Sequence, residues 1–385
     1  MSSTASIGAM RARVLTIMAT RAQDQDLVAS VAAERALKTR AGLMGSASAA
    51  IDPSSSQNSE KVVPAFGWHP WFSYQLYDED AGGAEPDKTN HYTAVLTPAP
   101  DAEFIASLPD PQSLNGFISK TRERLLAEPT ALVGEVGLDR AFRLPWGWNG
   151  AQQSERDEKI TPGGREGRTL SPYHVKMPHQ VLVLKAQLRL AGELGRPVSV
   201  HGVQAHGVVF DALASLWKGH EKEVISKREK KLVAKGAEDF SSSEDEEDDY
   251  DDDDEGWSGR KAAVAKKPPP PYQPKPFPPR ICLHSFSGPP QMVSQYLNPA
   301  IPARMFFSFS MVVNLSTAGG ESKFADVIRA CPDDQILVES DLHTAGEDMD
   351  HYLEQMCRRI CDVKGWTLVE GLERLRKNYE EFIFG

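Results

Sequence analysis

Seven short apolar, β-branched runs recur along the chain, each followed by a polar loop and then by a segment of helical period. This alternation constrains the fold more than any other feature. The runs are 13–18 (RVLTIM), 62–66 (VVPAF), 131–135 (ALVGE), 197–201 (PVSVH), 280–284 (RICLH), 304–308 (RMFFS) and 335–339 (QILVE). Helical periodicity covers 25–37, 113–126, 177–194, 207–217, 290–296, 322–330 and 349–363, and a closing helix covers 367–384. Strands that alternate with helices and are hydrophobic on both faces imply an α/β fold with a parallel sheet, either open and doubly wound or closed as a barrel.

Two long insertions interrupt the pattern. Residues 141–174, rich in Gly, Trp, Pro and charge, read as a surface loop. Residues 219–279 pass from a Lys/Arg-rich stretch through serines and an acidic run to PPPPYQPKPFPP. The acidic part has too little apolar surface to offset the entropy of ordering, and the Pro-rich part favours an extended spacer, so disorder is expected there. Residues 38–60 and 78–90 read as lesser loops. The run 244–255 holds 11 of the chain's 54 acids, which leaves 43 acids against 43 Lys and Arg elsewhere. The net charge of −11 therefore belongs to one segment. Charge neither announces nor excludes nucleic-acid binding by the remainder. Ser241, Ser242 and Ser243 each precede an acid by three residues, a pattern that acid-directed kinases accept; an unmodified solvated segment is the plainer reading.

The four cysteines form no CxxC pair and read as reduced thiols of an intracellular protein, in cytoplasm or nucleus. Residues 7–22 contain arginines and no acid, but their apolar run is too short for a signal peptide. No run approaches the roughly 20 apolar residues that span a bilayer, so no membrane is expected as a partner. Phosphate-loop, HExxH and GxSxG patterns are absent.

Ionisable residues gather at one end of the strands. Glu135 ends ALVGE, His201 ends PVSVH, His284 ends RICLH, and Asp341 lies two residues beyond QILVE. An isolated strand-end histidine is more often structural, but four metal-capable groups at the C-terminal ends of four strands fall where α/β folds build their sites. Two carboxylates and two imidazoles suit a hydrolase using Zn, Mn or Mg. Glu135 is the candidate to bridge two ions, and the glycines of GEVGLD around it would admit a metal or substrate. Asp139, four residues on, is a candidate to contact the substrate or a ligand, with a loop cap as the plainer role. Trp68, Trp71 and Phe72 read as base-stacking residues or as core, and Cys357 and Cys361 as packing residues.

At these positions the sequence resembles the TatD-related deoxyribonucleases. The stretches that carry the resemblance are GWHP at 67–70, VGEVGLD at 133–139, RPVSVH at 196–201, LHSFSG at 283–288, ESD at 339–341 and RLRKNYEEFIF at 374–384. The resemblance implies a TIM-like (β/α)8 barrel that holds one or two divalent metal ions and cleaves phosphodiesters of DNA. It assigns the bridging role to Glu135, one ion to His201 and His284, and the other ion and the attacking water to Asp341. His69 would lie near the substrate phosphate. The barrel would comprise residues 1–218 and 280–385, with 219–279 as a disordered insertion. A further implied partner, suited to the acidic loop, is a tetratricopeptide-repeat protein of the cell-division machinery. A non-catalytic interaction protein is thus the alternative to a nuclease.

The family opens with a strand carrying His-x-His, whereas no histidine precedes His69 here, and RVLTIMATRAQDQDLVASVA resembles the family's second strand and helix. The barrel is therefore expected without its first strand. A misplaced start or missed exon, a short form used as a binding protein, or a one-ion enzyme using Glu135, His201 and His284 would each account for this. HGVQAHG also lacks the arginine often found two residues after this histidine, and His343 stands where many members have proline.

Overall fold

The computed structural model describes residues 2–44, 60–81, 86–147, 167–224, 272–315 and 320–385. All seven runs form strands: β1 Leu15–Met18, β2 Val62–Phe66, β3 Leu132–Asp139, β4 Val198–Val203, β5 Arg280–Leu283, β6 Arg304–Phe309 and β7 Ile336–Val338. They pair in sequence order, every neighbour parallel. A doubly wound sheet reverses its order at a switch point. This one does not, so the barrel-type architecture holds, with β1 and β7 as the sheet edges among the described residues.

Among the helices that connect or follow the strands are α1 Ala22–Arg35, α2 Leu114–Ala127, α3 Met177–Leu194, α4 His206–Trp217, α5 Pro290–Tyr296, α6 Gly320–Ala330, α7 Glu347–Lys364 and α8 Leu368–Phe384. Their ends carry local signals. Gly195 closes α3 in the left-handed region (φ 66°), returning its N–H to the carbonyls of Ala191 and Gly192. Thr367 caps α8 by accepting from the Glu370 N–H.

The two faces of the sheet follow from the period of two along each strand. Val133, Val136, Val198, Val200, Ile281, Leu283, Met305, Phe307, Phe309 and Ile336 face the helices in the main core. The alternate residues Val63, Ala65, Leu132, Cys282, Phe306 and Leu337 form a second cluster, closed by Phe382 and Ile383 of α8. Two steps along, the same inner face changes from apolar to polar. Cys282 is followed by His284, Phe306 by Ser308, and Leu337 by Glu339. The end of α8 thus fills one end of the inner face and leaves the other to ionisable groups.

Four short α-helices among the described residues arise where no periodicity pointed to them: Arg40–Met44, Lys88–Val95, Ala102–Ser107 and Met311–Asn314. Lys88–Val95 and Ala102–Ser107 are defined by their caps, Asp87 accepting from the N–H groups of Thr89 and Asn90, and Asp101 from that of Phe104. The reading of 78–90 as loop therefore missed the start of a helix at Lys88, and that of 38–60 missed the helix Arg40–Met44, with 45–59 outside the described residues. With Trp68, Phe72, Tyr92 and Phe117 the helices Lys88–Val95 and Ala102–Ser107 build a satellite core beside the site. β5, beyond the acidic insertion, pairs directly with β4 through Val198 and Ile281, so the chain on both sides contributes to one sheet. The disorder expected in that insertion falls mainly on 225–271, and the 141–174 loop partly on 148–166, outside the described residues. All four cysteines are free. Among the described residues, no helix is long and apolar enough to cross a membrane.

Phe382 packs edge-on against Phe306 at 5.3 Å between ring centroids. Phe382→Ala is expected to lower the unfolding free energy by about 3 to 5 kcal/mol, measured by urea denaturation; an unchanged midpoint would remove α8 from the account of the inner core.

Candidate metal centre

Glu135 lies in β3 where the pairing with β4 slips between Val133 and Val136, a break that re-aims side chains. Two residues on, Gly137 has φ 152°, and a Cβ there would come within 2.0 Å of the His201 carbonyl oxygen. Gly137 of GEVGLD thus permits the approach of β3 to β4. Gln204, Ser285 and Asp341 are the non-glycine residues with positive φ among the described residues, and they follow β4, β5 and β7 at this edge. Strained backbone gathers at functional sites.

The sheet brings the candidates together around one atom, Glu135 Oε1. His201 Nδ1 lies 2.9 Å from it, His69 Nε2 3.3 Å and His284 Nε2 3.6 Å. His284 Nε2 is also 3.3 Å from Asp341 Oδ1. The ligand atoms of His69, Glu135 and His201 all lie within 4.8 Å of one another, close enough to share an ion. Asp139 does not open toward this centre. Its Oδ1 accepts from the N–H groups of Ala141 and Phe142 at 2.8 and 2.9 Å. Its Oδ2 accepts from the Trp71 indole at 2.6 Å and the His201 Nε2 at 3.2 Å.

Electrostatics follow from these contacts. Burial favours a protonated Glu135, but His284, His69 and the His201 hydrogen bond outweigh it and hold the carboxyl well below its ordinary range. Burial likewise opposes charge on His201, yet Asp139 and Glu135 raise its pKa to about 9. His284 goes well above its ordinary value, against burial, because Glu339 and Glu135 face it. His69 goes the other way, because burial outweighs the pull of Glu135. Its Nδ1 accepts from the Trp71 N–H at 3.2 Å, so in the neutral ring the proton sits on Nε2, facing Glu135.

Several participants carried no assignment in the sequence reading. Two buried glutamines of α3, seven residues and two helical turns apart, clamp the main chain of two site segments. Gln187 accepts from Trp68 N–H at 2.7 Å and donates to Trp68 O at 3.1 Å. Gln180 does the same for Asp139, at 2.8 and 2.9 Å. Buried glutamine on the apolar face of a helix was the visible signal. Glu339 stood inside the quoted ESD motif without a role, and the inward register two residues after Leu337 marks it. Trp68 and Phe72 are core residues, and Trp71 stacks on Phe142 at 4.9 Å, so these rings serve packing and the Asp139 contact. Cys357 and Cys361 lie on α7, Cys357 against the main core and Cys361 buried, and burial pushes the Cys357 thiol to about 11.

The family profile described as TatD related DNase matches residues 18–384. The chain belongs to the TatD-related DNase family. Among curated relatives, the Cut9-interacting protein scn1 of Schizosaccharomyces pombe is 35% identical over 329 residues, covering 84% of each chain. An uncharacterized deoxyribonuclease of Saccharomyces cerevisiae, YMR262W, is 24% identical over 341 residues, covering 85% of this chain and 84% of that one. Among solved structures, the TatD homologue YJJV of Escherichia coli aligns over 99% of this chain and 92% of that one, at 13% identity and TM-score 0.47. Membership makes the protein a metal-dependent, deoxyribonuclease-like hydrolase at the level of the family.

The residues fit such an ion. A carboxylate with imidazoles is a suitable donor set, and exchanging two ring protons for one divalent cation leaves the net charge of the site unchanged. Because His201 and His284 hold protons at neutral pH in the metal-free protein, Mn2+ uptake is expected to release protons and to tighten as pH rises toward about 9. Calorimetry in two buffers of different ionisation enthalpy checks this; uptake without proton release, or tighter binding on acidification, would contradict it.

Proposed function

We propose that the protein is a divalent-metal-dependent phosphodiesterase acting on DNA, with Mn, Mg or Zn as its ion. The observation that carries this is the convergence of three imidazoles on Glu135 Oε1 at the C-terminal edge of the sheet. In this reading Glu135, His201 and His284 hold the ion, and Asp341, beside His284, completes the set. A bound divalent ion supplies Lewis acidity toward a phosphoryl oxygen and acidifies water. His69 keeps its Nε2 proton, so it serves as a hydrogen-bond donor to a substrate phosphate oxygen rather than as a ligand. In this reading Asp341, 34% exposed, takes the proton of the water as its oxygen bonds to phosphorus, and the leaving oxygen takes up a proton from solvent as the ester P–O bond breaks. DNA as the substrate rests on the family and on the relative described as a deoxyribonuclease.

A second reading has its own support. The 35% identical relative is described as Cut9-interacting, and a protein partner of that kind, a tetratricopeptide-repeat protein docking on the acidic insertion, fits a chain that works in the cytoplasm or nucleus. One substitution separates the two readings. Glu135→Gln removes the central carboxylate charge and is expected to slow hydrolysis of DNA by the Mn2+-loaded protein about a hundredfold or more, while partner capture is retained. Equal rates for the two proteins in a nucleotide-release assay would reject the nuclease reading.

A further inference from the structure

Both imidazoles beside Glu135 that take the ion in the proposed reading have a buried carboxylate behind them. On β4, His201 turns Nδ1 to Glu135 Oε1 and Nε2 to Asp139 Oδ2, at 2.9 and 3.2 Å. On β5, His284 turns Nε2 to the Glu135 and Asp341 side and leaves Nδ1 2.7 Å from Glu339 Oε2. The Glu339 contact is short but off the line of a hydrogen bond, so in the metal-free protein it is an ion pair that a small ring rotation would convert.

Neither backing carboxylate is free to do anything else. Asp139 receives four donors and its side chain is 5% exposed. Glu339 Oε1 accepts from the Ser285 N–H at 2.7 Å and from the Ser285 hydroxyl, and its Oε2 accepts from Ser308 Oγ at 2.9 Å. Ser285 itself holds a left-handed backbone (φ 41°) in making these bonds. A carboxylate held by so many donors cannot swing toward a substrate, and it dictates which ring nitrogen of its histidine keeps the proton.

We propose that Asp139 and Glu339 are positioning residues, each keeping the outward nitrogen of its histidine protonated so that the inward nitrogen of His201 or His284 presents a lone pair to the ion. For Asp139 this takes up the contact to a ligand that the sequence allowed beside a substrate contact or a loop cap. The inference rests on the metal-dependent reading and deepens it. An outer carboxylate of this kind is worth about 10- to 100-fold in metal affinity. Replacing it by an amide offers the ring a donor instead, and the imidazole then takes the wrong tautomer.

The test uses Mn2+ alone on the full chain, comparing the native protein with Glu339→Gln, and with Ser308→Ala, which removes one donor to Glu339 but leaves its charge. Dissociation constants come from the free-Mn2+ electron paramagnetic resonance signal, thermal midpoints from the metal-free proteins, and the His284 ring tautomer from 15N-histidine NMR of the metal-free proteins at a pH where the ring has become neutral. The expected result is a 10- to 100-fold weaker Mn2+ affinity in Glu339→Gln, with the His284 proton moved toward Nε2, a retained midpoint, and a smaller effect in Ser308→Ala. An affinity within about twofold of native, an unchanged tautomer, or a weakening that only tracks a lost midpoint overturns the inference. A native protein that takes up no Mn2+ sinks the metal-dependent reading itself, whereas native binding matched by the variant sinks the positioning role alone.

Discussion

A buried carboxylate ringed by imidazoles is the constraint on which the rest of the site depends. Glu135 sits inside the fold as an anion, and removing an unpaired carboxylate from water is too costly to persist. Three histidines from separate chain segments offset that cost through one oxygen. They can do so only if β2, β3, β4 and β5 lie in sequence order with their C-terminal ends level. The sheet topology and the electrostatics of the centre are thus two descriptions of one requirement. The Gly137 backbone, which lets β3 approach His201, belongs to the same requirement.

Rigidity comes from α3 as much as from the strands. Gln180 and Gln187 each satisfy both main-chain groups of a residue beside the site, Asp139 and Trp68. Leaving such groups unpaired in a buried setting would cost about 1 to 3 kcal/mol each, so the two amides hold the GWHP and GLD segments against the helix layer. The satellite core of Trp68, Phe72 and Phe117, which also takes in Val183 of α3, supports the same loop. The histidines therefore occupy their positions before any ion arrives, which limits the reorganisation that binding requires.

What was legible in the residues was what period and position encode. The seven strands were visible as β-branched runs, and α3 and α5 matched residue for residue at 177–194 and 290–296. Glu135, His201 and His284 were legible because strand ends share an edge in any parallel α/β sheet. The nitrogen that each ring turns inward was not legible, since it depends on contacts between residues far apart in sequence, such as His201 with Asp139. For Asp139 the loop cap was legible from its place after the strand, but its contacts to Trp71 and His201 were not, because those donors come from distant segments. The helices Lys88–Val95 and Ala102–Ser107 escaped notice because a cap and a few apolar residues define them, too few for a period to show.

The central claim is that Glu135, His201 and His284 form a divalent-metal site, with His69 outside it as a donor. Anomalous diffraction from crystals grown with Mn2+ tests it most directly. The account predicts a peak roughly 2 Å from a Glu135 oxygen and from ring nitrogens of His201 and His284, with the Trp71 N–H still bonded to His69 Nδ1. A site that stays empty at saturating Mn2+, or an ion held by His69 Nε2 while His284 stands away, would contradict it.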